Sequence, residues 1–147
     1  MVRIYVSDVI EAPIETVWAI IRDFNGMPKW HPFIKDSLIE DGLPSDAIGC
    51  VRNFHLANGG HLREKLLSLS DPDHSCVYTI LESPLPVTNY VAGYRLLPIT
   101  ETDRTFIDWW AEFGVGPADE AQVVDQVRNG TFRRAFQAIN EKVARKK

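Results

Sequence analysis

Residues 104–145, RTFIDWWAEFGVGPADEAQVVDQVRNGTFRRAFQAINEKVAR, carry two hydrophobic rhythms back to back. Up to Phe113 the beat is two. Ile107, Trp109, Ala111 and Phe113 share one face of an extended segment and are all apolar, whereas Phe106, Asp108, Trp110 and Glu112 share a mixed face. Side chains alternate along a strand, so the first set faces a core. After Gly114-Val115-Gly116-Pro117 the beat becomes helical. Val124, Val127, Phe132, Ala135, Phe136, Ile139 and Val143 predict one amphipathic helix from about residue 118 to 145. Gly130 interrupts it, at about 1 kcal/mol against Ala in a helix interior, and marks a kink or a close approach to the backbone.

Working back towards the N-terminus, the chain reads as strands cut by turn chemistry. Asp41-Gly42-Leu43-Pro44, Asn58-Gly59-Gly60, Asp71-Pro72-Asp73, Ser83-Pro84-Leu85-Pro86 and Thr100–Asp103 divide it into six strands near 34–40, 50–56, 61–70, 75–82, 87–97 and 104–113. Such short connections imply consecutive antiparallel pairing and leave no room for crossover helices. Ahead of them, Val2–Ile10 is a strand rich in β-branched residues. Ala12-Pro13-Ile14-Glu15 then opens a helix whose Ile14, Val17, Trp18 and Ile21 make an apolar stripe, and Asn25-Gly26 stops it. A very short second helix spans Pro28–Trp30. The order is strand, two short helices, six strands, long helix. That predicts an α+β, helix-grip architecture in one domain over 1–147: seven antiparallel strands curved around the C-terminal helix. A sheet curved round a helix leaves a space between them, where a ligand is expected.

With 147 residues, 45% of them hydrophobic, the chain can bury a core without a metal or disulfide. Its formal charge of -4 argues against a nucleic-acid partner. The basic tail, Lys142, Arg145, Lys146 and Lys147, complements a helix dipole. No run approaches a membrane span, and MVRIYVSDVI lacks the apolar core of a signal peptide. With only Cys50 and Cys76 as cysteines, a cytoplasmic protein with free thiols is expected, as a monomer or weak homodimer. His55, His61 and His74 have no carboxylate or thiol at metal spacing, Gly114-Val115-Gly116 is no dinucleotide loop, and Ser68 and Ser70 lie in no nucleophile elbow. Neither metal nor cofactor is expected.

Two charges stand where parity puts apolar neighbours. Arg52 shares a face with Cys50 and Phe54, and Glu64 with Leu62, Leu66 and Ser68. A three-residue loop Ala57-Asn58-Gly59, with Gly59 left-handed, sets Arg52 opposite Glu64, while a two-residue loop does not. Such a pair has two readings: a structural salt bridge under the helix, or the polar end of a cavity. Tyr90, Ala92, Tyr94 and Leu96 share a face of a later strand. Phe54, Leu62, Leu66, Tyr94, Trp109, Phe132 and Phe136 are the candidate apolar lining. His31 stands between helix and sheet, either as a surface or capping histidine or at the cavity mouth.

Ala12-Pro13 through Val17-Trp18, Arg22-Asp23-Phe24, Trp30-His31-Pro32, Gly49-Cys50-Val51-Arg52, Arg63-Glu64-Lys65-Leu66-Leu67, Asn89-Tyr90-Val91-Ala92 and Asp108-Trp109, in that order, resemble the polyketide cyclase/dehydrase-like branch of the START and pollen-allergen (SRPBCC) superfamily. The skeleton is also similar to that of plant abscisic-acid receptors and lachrymatory-factor synthases. In the synthases an Arg, a Glu and a Tyr in such contexts do the chemistry. The resemblance therefore implies Arg52, Glu64 and Tyr90 as catalytic candidates, although the receptors keep a comparable acid and Tyr and only bind. The Asn58-Gly59-Gly60 turn is too short for a receptor-like gate, which argues against a hormone-receptor role.

Together these readings predict a pocket for a small polyketide-like or aromatic carbonyl compound. As an enzyme it would cyclise, dehydrate or isomerise without cofactor, with Glu64 shuttling a proton, Arg52 stabilising oxyanion charge and Tyr90 orienting or donating. The alternative is a non-catalytic carrier or sensor of a lipid, quinone or other apolar metabolite.

Overall fold

The computed structural model describes residues 1–146; Lys147, read above as part of the basic tail, lies outside the described residues. Seven strands form: β1 (Val2–Ile10), β2 (Ile34–Ile39), β3 (Val51–Leu56), β4 (His61–Ser70), β5 (Ser75–Glu82), β6 (Val87–Ile99) and β7 (Arg104–Val115). They make one curved antiparallel sheet in the order β1-β7-β6-β5-β4-β3-β2. Every hairpin joins sequence neighbours except at one edge, where β1 pairs with β7 and brings the two ends of the chain together. The two-residue rhythm of β7 does what its apolar face requires. Ile107, Trp109, Ala111 and Phe113 are all buried beneath the C-terminal helix.

Helix α1 (Ile14–Ile21) follows β1, with Val17, Trp18 and Ile21 buried. Its far end is tied to the β4–β5 turn, because Trp18 Nε1 and Arg22 Nε both donate to Asp71 Oδ1 at 2.8 Å. A single 3-10 turn, Met27–Lys29, carries the chain to Trp30 and His31 and then to β2. Among the described residues no helix is long and apolar enough to cross a membrane.

The C-terminal helix differs from expectation in one respect. It is not a uniform α-helix from 118 to 145 but three joined segments: α2 (Glu120–Asp125), a π-helical stretch Gln126–Arg133, and α3 (Arg134–Lys146). The physical reason lies in the spacing of the buried residues. Val123 and Val127 are four apart, as are Phe132 and Phe136, but Val127 and Phe132 are five apart and all four are buried. At 3.6 residues per turn a step of five swings the side chain off the stripe, and one wide turn absorbs the extra residue. Val123, not Val124, supplies the buried position in α2. Asn140 of α3 fastens the helix to the end of β1, accepting from the Glu11 N–H at 3.0 Å and donating to the Val9 carbonyl at 3.1 Å.

Candidate functional site

The β3–β4 hairpin places the charge pair. Gly59 takes φ 92°, its N–H donates to the Leu56 carbonyl at 2.9 Å, and the Leu56 N–H donates to Gly60 at 2.7 Å. That closes the three-residue loop, and Arg52 falls opposite Glu64. Both point inward, each side chain only 7% exposed. Arg52 Nε and Nη2 reach the same oxygen, Glu64 Oε1, at 2.9 and 2.7 Å, and Nη1 donates to the Phe24 carbonyl at 3.2 Å. Three aromatic faces surround the guanidinium: Phe24 at 4.0 Å, Tyr78 at 4.9 Å and Phe54 at 5.6 Å. Desolvated contacts of this kind contribute about 2 kcal/mol each and help offset the cost of burying the cation.

Glu64 retains an oxygen to spend. No hydrogen bond among the described residues ends on Oε2. Burial pushes the Glu64 carboxyl above its ordinary value, against the downward pull of the Arg52 charge and hydrogen bond. Tyr78 stands on the neighbouring strand with its hydroxyl accepting from Trp109 Nε1 at 3.1 Å. Burial, with the Glu64 charge adding to it, pushes the Tyr78 phenol well above its usual range. Cys50 and Cys76 are free and buried, and burial pushes the Cys76 thiol up to about 11.

Above this floor lies a cavity of about 830 Å³ between the sheet, the 28–33 connection and the π-helical stretch. Arg52, Glu64, Phe54, Leu62 and Trp109 line it. Tyr90, Leu66, Tyr94, Phe132 and Phe136 are buried but do not. Tyr90 stacks on Phe113 at 5.3 Å between centroids, just after Asn89 turns left-handed and the β6–β7 register shifts. The Tyr94 hydroxyl donates to the Ile21 carbonyl at 2.9 Å, and its ring packs on Trp109 at 4.6 Å. Phe132 stacks on the same indole at 5.4 Å. Trp109 joins this aromatic cluster to the cavity, and Tyr90 stays near the floor, where burial, with the Glu64 charge adding to it, pushes its phenol above the usual range.

Several lining residues were not legible by parity, among them Tyr78, Trp30, Gln126 and Arg134. Tyr78 lies across from Leu66, and a register shift between Leu66 and Ser68 defeats simple counting from β4 into β5. His31 does line the cavity. Its Nδ1 accepts the Phe33 N–H at 3.2 Å, and burial, with the Arg134 charge adding to it, lowers its pKa from 6.5 to about 4. It is therefore a neutral imidazole with Nε2–H as its donor. Trp30 is 5% exposed, and its indole N–H is the buried side-chain donor left without an acceptor among the described residues.

A seven-stranded sheet gripping a C-terminal helix over a lined cavity defines a START-like helix-grip protein. The chain belongs to the polyketide cyclase / dehydrase and lipid transport family, whose model it matches over residues 1–146. It is 31% identical over 84 residues to the abscisic acid receptor PYL7 of Arabidopsis thaliana, a match covering 55% of this chain and 38% of the receptor. The protein XoxI from Bacillus cereus superposes with a TM-score of 0.85 at 25% identity, over 97% of this chain and 95% of that one. Norcoclaurine synthase from Thalictrum flavum, solved with dopamine and hydroxybenzaldehyde, shares the fold: TM-score 0.75 at 18% identity, over 99% of this chain and 88% of that one.

Proposed function

We propose that the protein binds a small, largely apolar molecule in the cavity, with the Arg52–Glu64 pair at its floor as the polar anchor. One observation carries this reading: an aromatic-walled space of about 830 Å³ ends on a buried ion pair whose carboxylate keeps one oxygen unpartnered. That volume suits a drug-sized ligand of the polyketide or aromatic carbonyl kind. Phe54, Leu62, Trp30 and Trp109 would hold its body, and Glu64 Oε2 would meet a hydroxyl or a carbon acid at its inner end.

As an enzyme, the protein would use Glu64, whose carboxyl burial raises above its ordinary value against the pull of Arg52, to move a proton in a cofactor-independent dehydration, cyclisation or isomerisation. Arg52 is engaged by Glu64 and by Phe24, so its part is to hold the carboxylate and set its charge rather than to reach out to substrate. Tyr78 is better placed than Tyr90 to orient the ligand, because it lines the cavity. A non-catalytic carrier or sensor would use the same contacts.

Native mass spectrometry of the protein as purified tests the binding claim. A discrete adduct that is absent from Leu62→Trp, where the new side chain fills the space, supports it. An adduct that survives the filling places the ligand elsewhere.

A further inference from the structure

The charges on the cavity wall do not balance. Arg52 and Glu64 compensate each other at the floor, and Arg134 remains. No ion pair among the described residues includes Arg134. Its guanidinium lies over the Phe33 ring at 4.2 Å, and the edge of His31 meets the same ring at 6.0 Å. Phe33 and Arg134 are exposed whereas Arg52, Glu64 and Tyr78 are buried, so this cluster forms the outer rim and the ion pair the inner end. Next to it, the Trp30 ring stands 5.4 Å from the His31 ring and keeps its indole N–H unpaired. The rim therefore presents a full positive charge and the His31 ring N–H, with no acid among the lining residues there. It does so on a chain whose net charge is -4, so a general attraction for anions does not explain it.

We propose that this rim is an anion subsite, and that the natural ligand is an apolar acid that carries a carboxylate or a similar oxyanion at its outer end. The inference rests on the reading of the cavity as a ligand site and adds the chemical class of the ligand. A planar guanidinium fork suits a carboxylate in two-point contact, and the neutral His31 adds a donor without a competing proton equilibrium near neutral pH. Thr131, on the π-helical stretch, lines the same cavity but gives its hydroxyl proton to the Gln126 carbonyl at 3.2 Å, so Arg134 and His31 are the donors left for an anion.

Two dyes with the same anilinonaphthalene body test it: the anionic 1-anilinonaphthalene-8-sulfonate and the uncharged N-phenyl-1-naphthylamine. Both are titrated into the native protein, Arg134→Gln and Arg128→Gln; Arg128 is exposed on the same stretch and does not line the cavity. The expected result is an affinity for the sulfonate about tenfold weaker in Arg134→Gln, with the neutral dye changed less than about twofold and Arg128→Gln like the native protein. Equal losses in both arginine variants would reduce the effect to bulk charge and overturn the subsite. A sulfonate affinity indifferent to Arg134, with the neutral dye still saturating, overturns the subsite and leaves the cavity reading intact. Failure of both dyes to saturate removes the cavity reading and the subsite together.

Discussion

Arg52 and Glu64 meet across the β3–β4 hairpin with both guanidinium bonds on one carboxylate oxygen, Oε1, which leaves Oε2 unpartnered. A purely structural bridge gains most by using both oxygens in a forked contact. The one-sided contact keeps an acceptor, or when protonated a donor, available at the floor of the cavity.

Breaking the pair leaves a charge without compensation. Arg52→Met is expected to lower stability by about 3–5 kcal/mol, while Arg52→Met with Glu64→Leu recovers much of it. Denaturant unfolding of the single and double variants measures the difference, and a double variant no better than Arg52→Met contradicts the burial argument.

Glu64→Gln preserves shape and removes the proton. If the protein is an enzyme, turnover on its substrate falls by about 10²–10⁴-fold with little change in affinity. A carrier shows an altered affinity and has no turnover to lose.

The two tyrosines separate cleanly by their partners. Tyr78→Phe strands the Trp109 N–H, which donates to the Tyr78 hydroxyl, and is expected to cost about 1–3 kcal/mol and to perturb binding. No side-chain hydrogen bond among the described residues uses the Tyr90 hydroxyl, so Tyr90→Phe should stay within about 0.5 kcal/mol. Thermal unfolding and dye titration of both variants check the order. A large effect on binding from Tyr90→Phe alone would return the donor role to Tyr90.

How much of this was legible beforehand depends on local regularity. Alternation in β7 and the Gly59 loop were enough to orient the strand and to pair Arg52 with Glu64, because period two survives wherever a strand is unbroken. Parity fails at bulges. The register shift between Leu66 and Ser68 hides Tyr78, which lies across from Leu66, whereas in β6 alternation holds: Tyr90, Ala92, Tyr94 and Leu96 are all buried, and parity alone does not say which of them reaches the cavity. The π-helical stretch was also written in the chain, in the five-residue gap between Val127 and Phe132. The stripe still resembles a single α-helix because the four-residue steps Val123–Val127 and Phe132–Phe136 on either side of the gap each keep the α spacing. Which aromatics fill the space under the helix and which line what remains is set by packing in three dimensions, to which strand parity is blind.

His31 gives the pH dependence. The unfolded chain takes up its proton near 6.5 and the folded chain only near 4, so between those values the unfolded state binds more protons and stability falls as pH falls. The loss is on the order of 2–3 kcal/mol after allowance for partial exposure. His31→Gln should remove that component, so the difference between native and variant stability shrinks by this amount from pH 7 to pH 4. Glu64 and the surface carboxylates are common to both proteins and cancel. A difference that does not move with pH would contradict the buried, neutral imidazole.

The central claim is a single apolar site under the helix, and isothermal titration with the uncharged N-phenyl-1-naphthylamine, followed in parallel by tryptophan emission, tests it most directly. One dye should bind per chain, with quenching through Trp109 and Trp30 on the cavity wall, and both signals should be lost in a Leu62→Trp variant that still unfolds cooperatively. Non-saturating uptake by the native protein, or binding that Leu62→Trp leaves untouched, would contradict it.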